Sequence, residues 1–167
     1  NLGVTLQELG QLNAAVKSYE QALFIKPDYA IASNNLGLTL QKLGQLNAAV
    51  KSYEQALAIK PDYADVHNNR GNALKDLGQL DAAVKSYKQA LAINPNYADA
   101  YNNLGVTLQE LGQHDAAVKS FEKALAIKPD FADAHYNLGN VLKKLNQLDA
   151  AVKCFEQALA IKPDYAD

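Results

Sequence analysis

Few side chains in this 167-residue sequence could carry out catalysis or hold a metal, and their spacing works against both. The sequence repeats with a period of 34 residues, and His67 and His135 lie two periods apart. They therefore occupy equivalent places in different repeats. His114 falls in a predicted turn. A catalytic or metal site needs unlike groups that converge in space, whereas repetition spreads equivalent residues along the chain. Cys-x-x-Cys, His-Glu-x-x-His, Gly-x-Ser-x-Gly and phosphate-binding glycine loops are absent from the sequence. We therefore predict a non-enzymatic protein with no catalytic residue, metal site or cofactor.

Two residues depart from the repeat in ways that could introduce chemistry. Cys154 is the single cysteine, which excludes an internal disulfide, and it stands where the other repeats have serine. A reactive thiol needs an electropositive setting, and only Lys153 is adjacent in sequence. Arg70 stands where the other repeats have leucine. Either its aliphatic stem packs while the guanidinium reaches solvent, or the guanidinium contacts an acidic group or a carbonyl in a ligand groove.

A column of asparagines recurs with the same period and is not explained by turns or helix packing. Its members are Asn1, Asn35, Asn69, Asn103 and Asn137. Asparagine is a mediocre helix former that competes with the backbone for hydrogen bonds, so five copies inside predicted helices indicate a role. A side-chain amide both donates and accepts, so its natural partner is a peptide group.

Composition and charge exclude several other classes of protein. Hydrophobic residues make up 49% of the chain and charged residues 20%, as in ordinary folded proteins. The net charge of −2 comes from 16 basic and 18 acidic residues, which argues against a general affinity for nucleic acid or for anionic membranes. The lysines and glutamates of the second predicted helices form a face of mixed sign. We expect neither nucleic acid nor a membrane as partner, and a cytoplasmic location.

The elements that must position these side chains follow from the prolines and glycines. All five prolines lie 34 residues apart, and the nine glycines fall into two registers of that period, with Asn146 in the vacant place. Within one period, apolar residues recur at helical spacing from about Asp99 to Leu111 and from about Asp115 to Ile127. Each proline follows a second helix, and each Gly112-type residue ends a first helix in a left-handed conformation.

The pattern also predicts how the helices begin and pack. Asp115 and its equivalents are predicted to cap the second helices, and pairs such as Asp130 with Asp133 to cap the first ones. Small residues such as Gly105 and Ala117 allow close approach of two helices, and Phe121 fills the space between them.

The spacing Leu104-Gly105, Leu108, Gly112, Ala117, Phe121, Ala124, Pro129 resembles the tetratricopeptide repeat, a 34-residue helix–turn–helix unit. The resemblance implies an all-α, right-handed superhelical solenoid of stacked antiparallel helix pairs. We expect one repeat array over residues 1–167: a partial repeat at 1–29, full repeats at 30–63, 64–97, 98–131 and 132–165, and the start of a further repeat at 166–167. This register, and the absence of methionine, indicate a fragment of a longer protein.

In such arrays the first helices line a concave groove, and the resemblance places polar residues of this chain in it. These are Asn35, Asn69, Asn103, Asn137, Asn68, Asn102, Asn72, Asn140, Asp65, Asp99 and Asp133. A row of amides could bond the backbone of an extended peptide without reading its sequence. Alternatively, the asparagines could bond neighbouring helices and hold the curvature. Chaperone-adaptor repeats carry Lys and Arg in this groove, and here Asn34, Asp65 and Asn68 replace them, so that carboxylate clamp is absent.

The column and the strings YNNLG and PDYADVHNN also resemble the repeat array of O-linked N-acetylglucosamine transferases, but the chain contains no such catalytic domain. The sequence therefore predicts a protein–protein interaction scaffold that binds an extended peptide. The alternative is a self-assembly module that stacks end to end into a homo-oligomer. The apolar strip predicted for that contact consists of Ala151, Phe155, Ala158 and Leu159.

Overall fold

The computed structural model describes residues 2–163, and every element in this part of the chain is helical. Asn1 and the predicted start of a further repeat at 166–167 lie outside the described residues. The chain divides into two compact units, residues 1–93 and 94–167. The first unit contains α1 (Leu2–Glu8), α2 (Leu12–Ile25), α3 (Ala30–Lys42), α4 (Leu46–Ile59), α5 (Ala64–Asp76) and α6 (Leu80–Ile93). The second contains α7 (Ala98–Glu110), α8 (His114–Ile127), α9 (Ala132–Lys144) and α10 (Leu148–Ile161).

Helices are packed within each unit as successive pairs. In the first unit α1 packs on α2, α3 on α4 and α5 on α6, and each pair also contacts the following one through α2–α3 and α4–α5. In the second unit α7 packs on α8, α9 on α10, and α8 on α9. The predicted helices are confirmed, with bounds that differ by one residue at most ends: α7 begins at Ala98 and α8 at His114.

The contact inside each pair is a glycine of the first helix against an aromatic ring of the second. A Cβ added at Gly71 would lie 2.5 Å from Cε1 of Tyr87, and one added at Gly105 would lie 2.6 Å from Cε1 of Phe121. Both rings are fully buried. Ala117 beside Phe121 is fully buried as well, so the predicted division into small and bulky packing positions is confirmed.

The turn inside each pair is made by a left-handed residue. Gly112 has φ +74°, and Asn146 takes the same conformation with φ 58°. The backbone N–H of Gln113 donates to the carbonyl of Leu108 (2.9 Å), which is the bond that closes a Schellman motif. This confirms the predicted C-terminal signal, with asparagine as the usual substitute for glycine.

The predicted side-chain caps are wrong. The residue that precedes α8 is Gln113, without a side-chain capping bond, and Asp115 is already the second residue of the helix. Likewise Phe131 precedes α9, and Asp133 lies in its first turn. The N-cap position before α8 belongs to Gln113, so Asp115 comes two residues too late in the chain to cap the helix. The aspartates instead place negative charge near a helix N-terminus, where the helix dipole favours it.

The loop between pairs carries a contact that the sequence reading missed. Lys60 Nζ lies 4.7 Å from the centre of the Tyr63 ring, and Lys128 Nζ lies 4.8 Å from that of Phe131. These cation–π contacts cover the proline turn. Where Asn94 replaces the lysine, its Oδ1 accepts a bond from the backbone N–H of Asn96 instead (3.1 Å).

Candidate functional site

In the first unit the asparagine column joins one first helix to the next. Asn69 Nδ2 of α5 donates to Asn34 Oδ1 of α3 (3.2 Å), and Asn34 Nδ2 donates weakly to Asn35 Oδ1 (3.4 Å). Asn34 is buried, whereas Asn35 and Asn69 are half-buried. The column asparagine therefore donates this bond. The acceptor is the asparagine that stands one residue before the column in the preceding repeat.

The same bond recurs in the second unit. Asn137 Nδ2 of α9 donates to Asn102 Oδ1 of α7 (3.1 Å). Asn102 is buried, and Asn103 and Asn137 are half-buried. An amide has two N–H donors and a carbonyl oxygen with two lone pairs. One donor of Asn69 and one of Asn137 serve the helix contact, so each keeps a second N–H and its oxygen.

The predicted groove residues thus differ in how far they face solvent. Asn68 and Asn102 are only 6% and 8% exposed, so they offer little surface to a ligand. Asn72 and Asn140 are half-buried. The carboxylates Asp65, Asp99 and Asp133 lie in the first turns of their helices, and all three are exposed.

Tyrosine hydroxyls from the second helices reach the same row of polar side chains. The Tyr53 hydroxyl donates to Gln41 Oε1 (3.0 Å), and Gln41 Nε2 donates to Asp76 Oδ2 (3.1 Å). The Tyr87 hydroxyl donates to Asn72 Oδ1 (2.8 Å). Burial raises the pKa of Tyr53 above its ordinary value, so this hydroxyl stays a donor. These contacts fix the amides of Gln41 and Asn72. The sequence signal for them is that α4 and α6 carry tyrosine where α8 and α10 carry phenylalanine.

Arg70 points towards the second helix of its own pair. Its Nε donates to Ser86 Oγ of α6 (3.1 Å), and the Ser86 hydroxyl donates to the carbonyl of Ala82 (3.1 Å). The side chain lines a cavity with His67, Leu57 and residues of α6.

The histidines and the cysteine have structural surroundings. Nε2 of His67 and of His135 each donates to a proline carbonyl, that of Pro61 and Pro129, at 2.9 Å. His114 is the first residue of α8 rather than part of a turn. Burial raises the pKa of the Cys154 thiol, which disfavours the reactive thiolate. Residues 2–163 contain no group of three or more His, Cys, Asp or Glu that could hold a metal ion.

Two of the four residues predicted for the self-association strip are buried. Ala151 and Ala158 are buried within the second unit, at 2% and 1% exposure, so they cannot form a surface. Phe155 is half-buried and its ring lies 5.8 Å from that of Tyr136. Leu159 is exposed, as expected. The remaining large apolar residues of α10 that are exposed are Leu148, Val152 and Ile161.

Protein-family models match nearly the whole length of the chain. The model described as "TPR repeat" matches residues 3–44, 40–78, 71–112 and 109–146, and the model described as "Tetratricopeptide repeat" matches residues 132–165. The chain belongs to the tetratricopeptide repeat family. The described residues have the all-α fold of stacked helix pairs that the resemblance implied, and this family consists in general of non-catalytic scaffolds.

Solved structures of other tetratricopeptide proteins resemble the array over nearly its whole length. A crystal structure of MamA matches with a TM-score of 0.90 and 29% identity, over 99% of this chain and 97% of that one. YrrB, described as a tetratricopeptide protein with an unusual peptide-binding site, matches with a TM-score of 0.80 and 26% identity over 98% and 84%. A thermophilic tetratricopeptide protein from Thermus thermophilus matches with a TM-score of 0.76 and 29% identity over 97% and 89%.

Two further results are negative. None of the curated proteins compared with the tetratricopeptide array matches it. Among the described residues, no helix has both the length and the apolar character that a membrane crossing requires.

Proposed function

We propose that this chain is a protein-interaction scaffold that binds an extended peptide through the half-buried asparagines of its first helices. The observation that carries the proposal is the bond from Asn69 to Asn34, with its counterpart from Asn137 to Asn102. This bond orients the amides of Asn69 and Asn137 and leaves each of them one N–H and its carbonyl oxygen. Oriented amides at regular spacing match the alternating N–H and C=O groups of an extended backbone. The similarity to YrrB, which has a peptide-binding site, supports a ligand of this class.

The experiment must separate a role in ligand binding from a role in helix packing. The first variant changes Asn35, Asn69, Asn103 and Asn137 together to alanine. A second variant changes only Asn34 and Asn102, the buried acceptors, which breaks the same helix-to-helix bonds but leaves the column intact. A third, matched control changes exposed amides on second helices: Gln21, Gln55 and Gln157.

Each variant is titrated with an array of short, extended peptides of varied sequence, and its fold is checked by circular dichroism. A hydrogen bond contributes about 1 kcal/mol net, so loss of the two column amides of one unit should weaken binding to that unit by roughly 30-fold. The variant of the buried acceptors loses only the bonds that orient the column, so it should bind more weakly than the parent but clearly better than the column variant. The glutamine control should be unchanged. Equal losses in the first two variants would assign the asparagines to helix packing alone.

A second candidate, end-to-end self-assembly, is favoured by one face of α10. Leu148, Val152 and Leu159 are all exposed and recur at helical spacing, with Phe155 half-buried between them. Changing Val152 and Leu159 to glutamate should abolish any concentration-dependent rise in light scattering, whereas Gln157→Glu on the same helix should not. A chain that stays strictly monomeric at high concentration would remove this candidate.

A further inference from the structure

A cavity in the first unit differs from its equivalent one repeat earlier in two side chains: it has Arg70 where the other has Leu36, and His67 where the other has Ser33. The cavity is open to solvent, has a volume of about 450 Å³ and lies between the C-terminal ends of α4 and α6 and the first half of α5. This volume is within the range of roughly 300–1,000 Å³ that small ligands occupy. Its walls include Leu57, Pro61, Ala92 and Ile93, and Arg70 and Gln89 supply polar groups.

The guanidinium of Arg70 is held in place and carries no compensating charge. Its Nε donates to Ser86 Oγ, and Ser86 is itself fully buried and bonded to the backbone of α6. Five N–H donors form the fork of an arginine, so the two terminal nitrogens keep four. The ion pair found among residues 2–163 is between Lys75 and Asp76, and no carboxylate pairs with Arg70 there.

His67 forms part of the same wall but is not a second cation. Its Nε2–H donates to the Pro61 carbonyl, and its Nδ1 is buried without a hydrogen-bond partner among the described residues. Burial lowers the pKa of His67, the bond to Pro61 opposes this, and the nearby Arg70 charge lowers the pKa further. The ring is therefore neutral at pH 7, and the positive charge of the cavity belongs to Arg70 alone.

We propose that this cavity binds the C-terminal residue of a partner polypeptide that ends in an aliphatic side chain. The two terminal nitrogens of Arg70 match a carboxylate in fork geometry. The walls of leucine, alanine and isoleucine accept an aliphatic side chain, which a free inorganic anion would not use. Gln89 at the rim is exposed and can bond the last peptide group. This site is distinct from the asparagine column, because successive helical residues point about 100° apart and Arg70 follows Asn69.

The chain contains its own matched control. The equivalent cavity one repeat earlier has a volume of about 330 Å³ and is lined by Leu23, Pro27, Ser33 and Ile59 among others. Leu36 stands there at the place of Arg70, and the buried Ser52 stands at the place of Ser86, with its hydroxyl bonded to the Ala48 carbonyl. Leu36→Arg should therefore create a second site of the same kind.

The test uses the whole chain and the peptide acetyl-Gly-Ser-Ala-Leu with a free C-terminal carboxylate, titrated by calorimetry. The free acid should bind roughly 10-fold or more tighter than the same peptide with a C-terminal amide, since charge-assisted hydrogen bonds are the stronger kind. Arg70→Leu should remove this preference, and because four other repeats carry leucine at that place, the variant should keep its fold by circular dichroism. Arg70→Lys should restore it only in part. Leu36→Arg should raise the number of sites from one to two.

Two results would overturn the assignment. One is equal binding of acid and amide peptides to the parent chain, or a preference that survives Arg70→Leu. The other is equally tight binding of acetyl-Gly-Ser-Ala-Glu amide, which carries its carboxylate on a side chain and would show that the cavity does not select a C-terminus. The alanine variant of the asparagine column should leave the acid preference unchanged, so failure of this site and failure of the column are separate results.

Discussion

The contact between Gly105 and Phe121 predicts that Gly105→Ala destabilises the parent chain but stabilises a chain that lacks the Phe121 ring. A methyl group added at Gly105 would lie 2.6 Å from Cε1 and 2.8 Å from Cδ1 and Cζ of Phe121. The ring is fully buried, so it cannot turn aside into solvent. Alanine is favoured over glycine inside a helix by about 0.8–1.0 kcal/mol. Overpacking costs typically about 1–3 kcal/mol, and contacts this short belong in the upper part of that range. We expect Gly105→Ala to lower the free energy of unfolding by about 1–2 kcal/mol.

The same substitution should stabilise a chain that lacks the ring. Phe121→Val removes all three ring atoms that the methyl group would meet, and by itself costs about 2–4 kcal/mol, somewhat less than full truncation to alanine. In that background Gly105→Ala should raise the free energy of unfolding by up to about 1 kcal/mol, because the helix preference remains and the clash does not. The four chains are compared by urea unfolding followed by circular dichroism, as a double-mutant cycle. An equal loss from Gly105→Ala in both backgrounds would refute the packing explanation.

Three further predictions concern the turns, the buried histidine and the cysteine. Gly112→Ala should cost about 1–2 kcal/mol from left-handed strain alone, since nothing lies within 4 Å of the added methyl, whereas Asn146→Gly should change unfolding by less than about 1 kcal/mol. Folding lowers the pKa of His67, so as the pH falls the unfolded chain binds a proton at this residue before the folded chain does. The contribution of His67 to stability should therefore be full above about pH 7 and fall as the pH drops below about 6.5, by at most about 1.4 kcal/mol per pH unit. His67→Ser should flatten this part of a profile of urea midpoint against pH. Cys154 should be alkylated by iodoacetamide at about pH 8 more slowly than a cysteine in a short peptide, and denaturant should abolish the difference.

The fold could be predicted because the residues that determine it are the ones that repeat. Proline and glycine impose backbone restrictions that hold in any surroundings. Their period therefore fixed both ends of nearly every helix to within a residue. The capping prediction failed because it depended on the conformation of one turn. The left-handed Gly112 leads into α8 so directly that Asp115 lies inside the helix.

The functional surface could be predicted only in outline, because exposure depends on neighbouring helices. Asn102 and Asn103 are adjacent and chemically identical, yet one is buried and the other half-buried. The difference arises from a rotation of about 100° around α7. The same rotation explains why Ala151 is buried while Val152 is exposed. The bond from Arg70 to Ser86 joins two helices, and no pattern within α5 alone indicates it.

A regular row of amides gives a bound peptide no preferred register, and a single arginine can supply one. Equivalent amides offer the same hydrogen bonds at each repeat, so a peptide bound only through Asn35 and Asn69 has no preferred register along the first unit. Arg70 occurs once in the array, and its guanidinium is fixed by Ser86. A bond to a chain terminus can be made by only one residue of a ligand. Asn69, which follows the period, is thus suited to binding a peptide without sequence preference. Arg70, which departs from the period, is suited to fixing the position of the ligand's C-terminus.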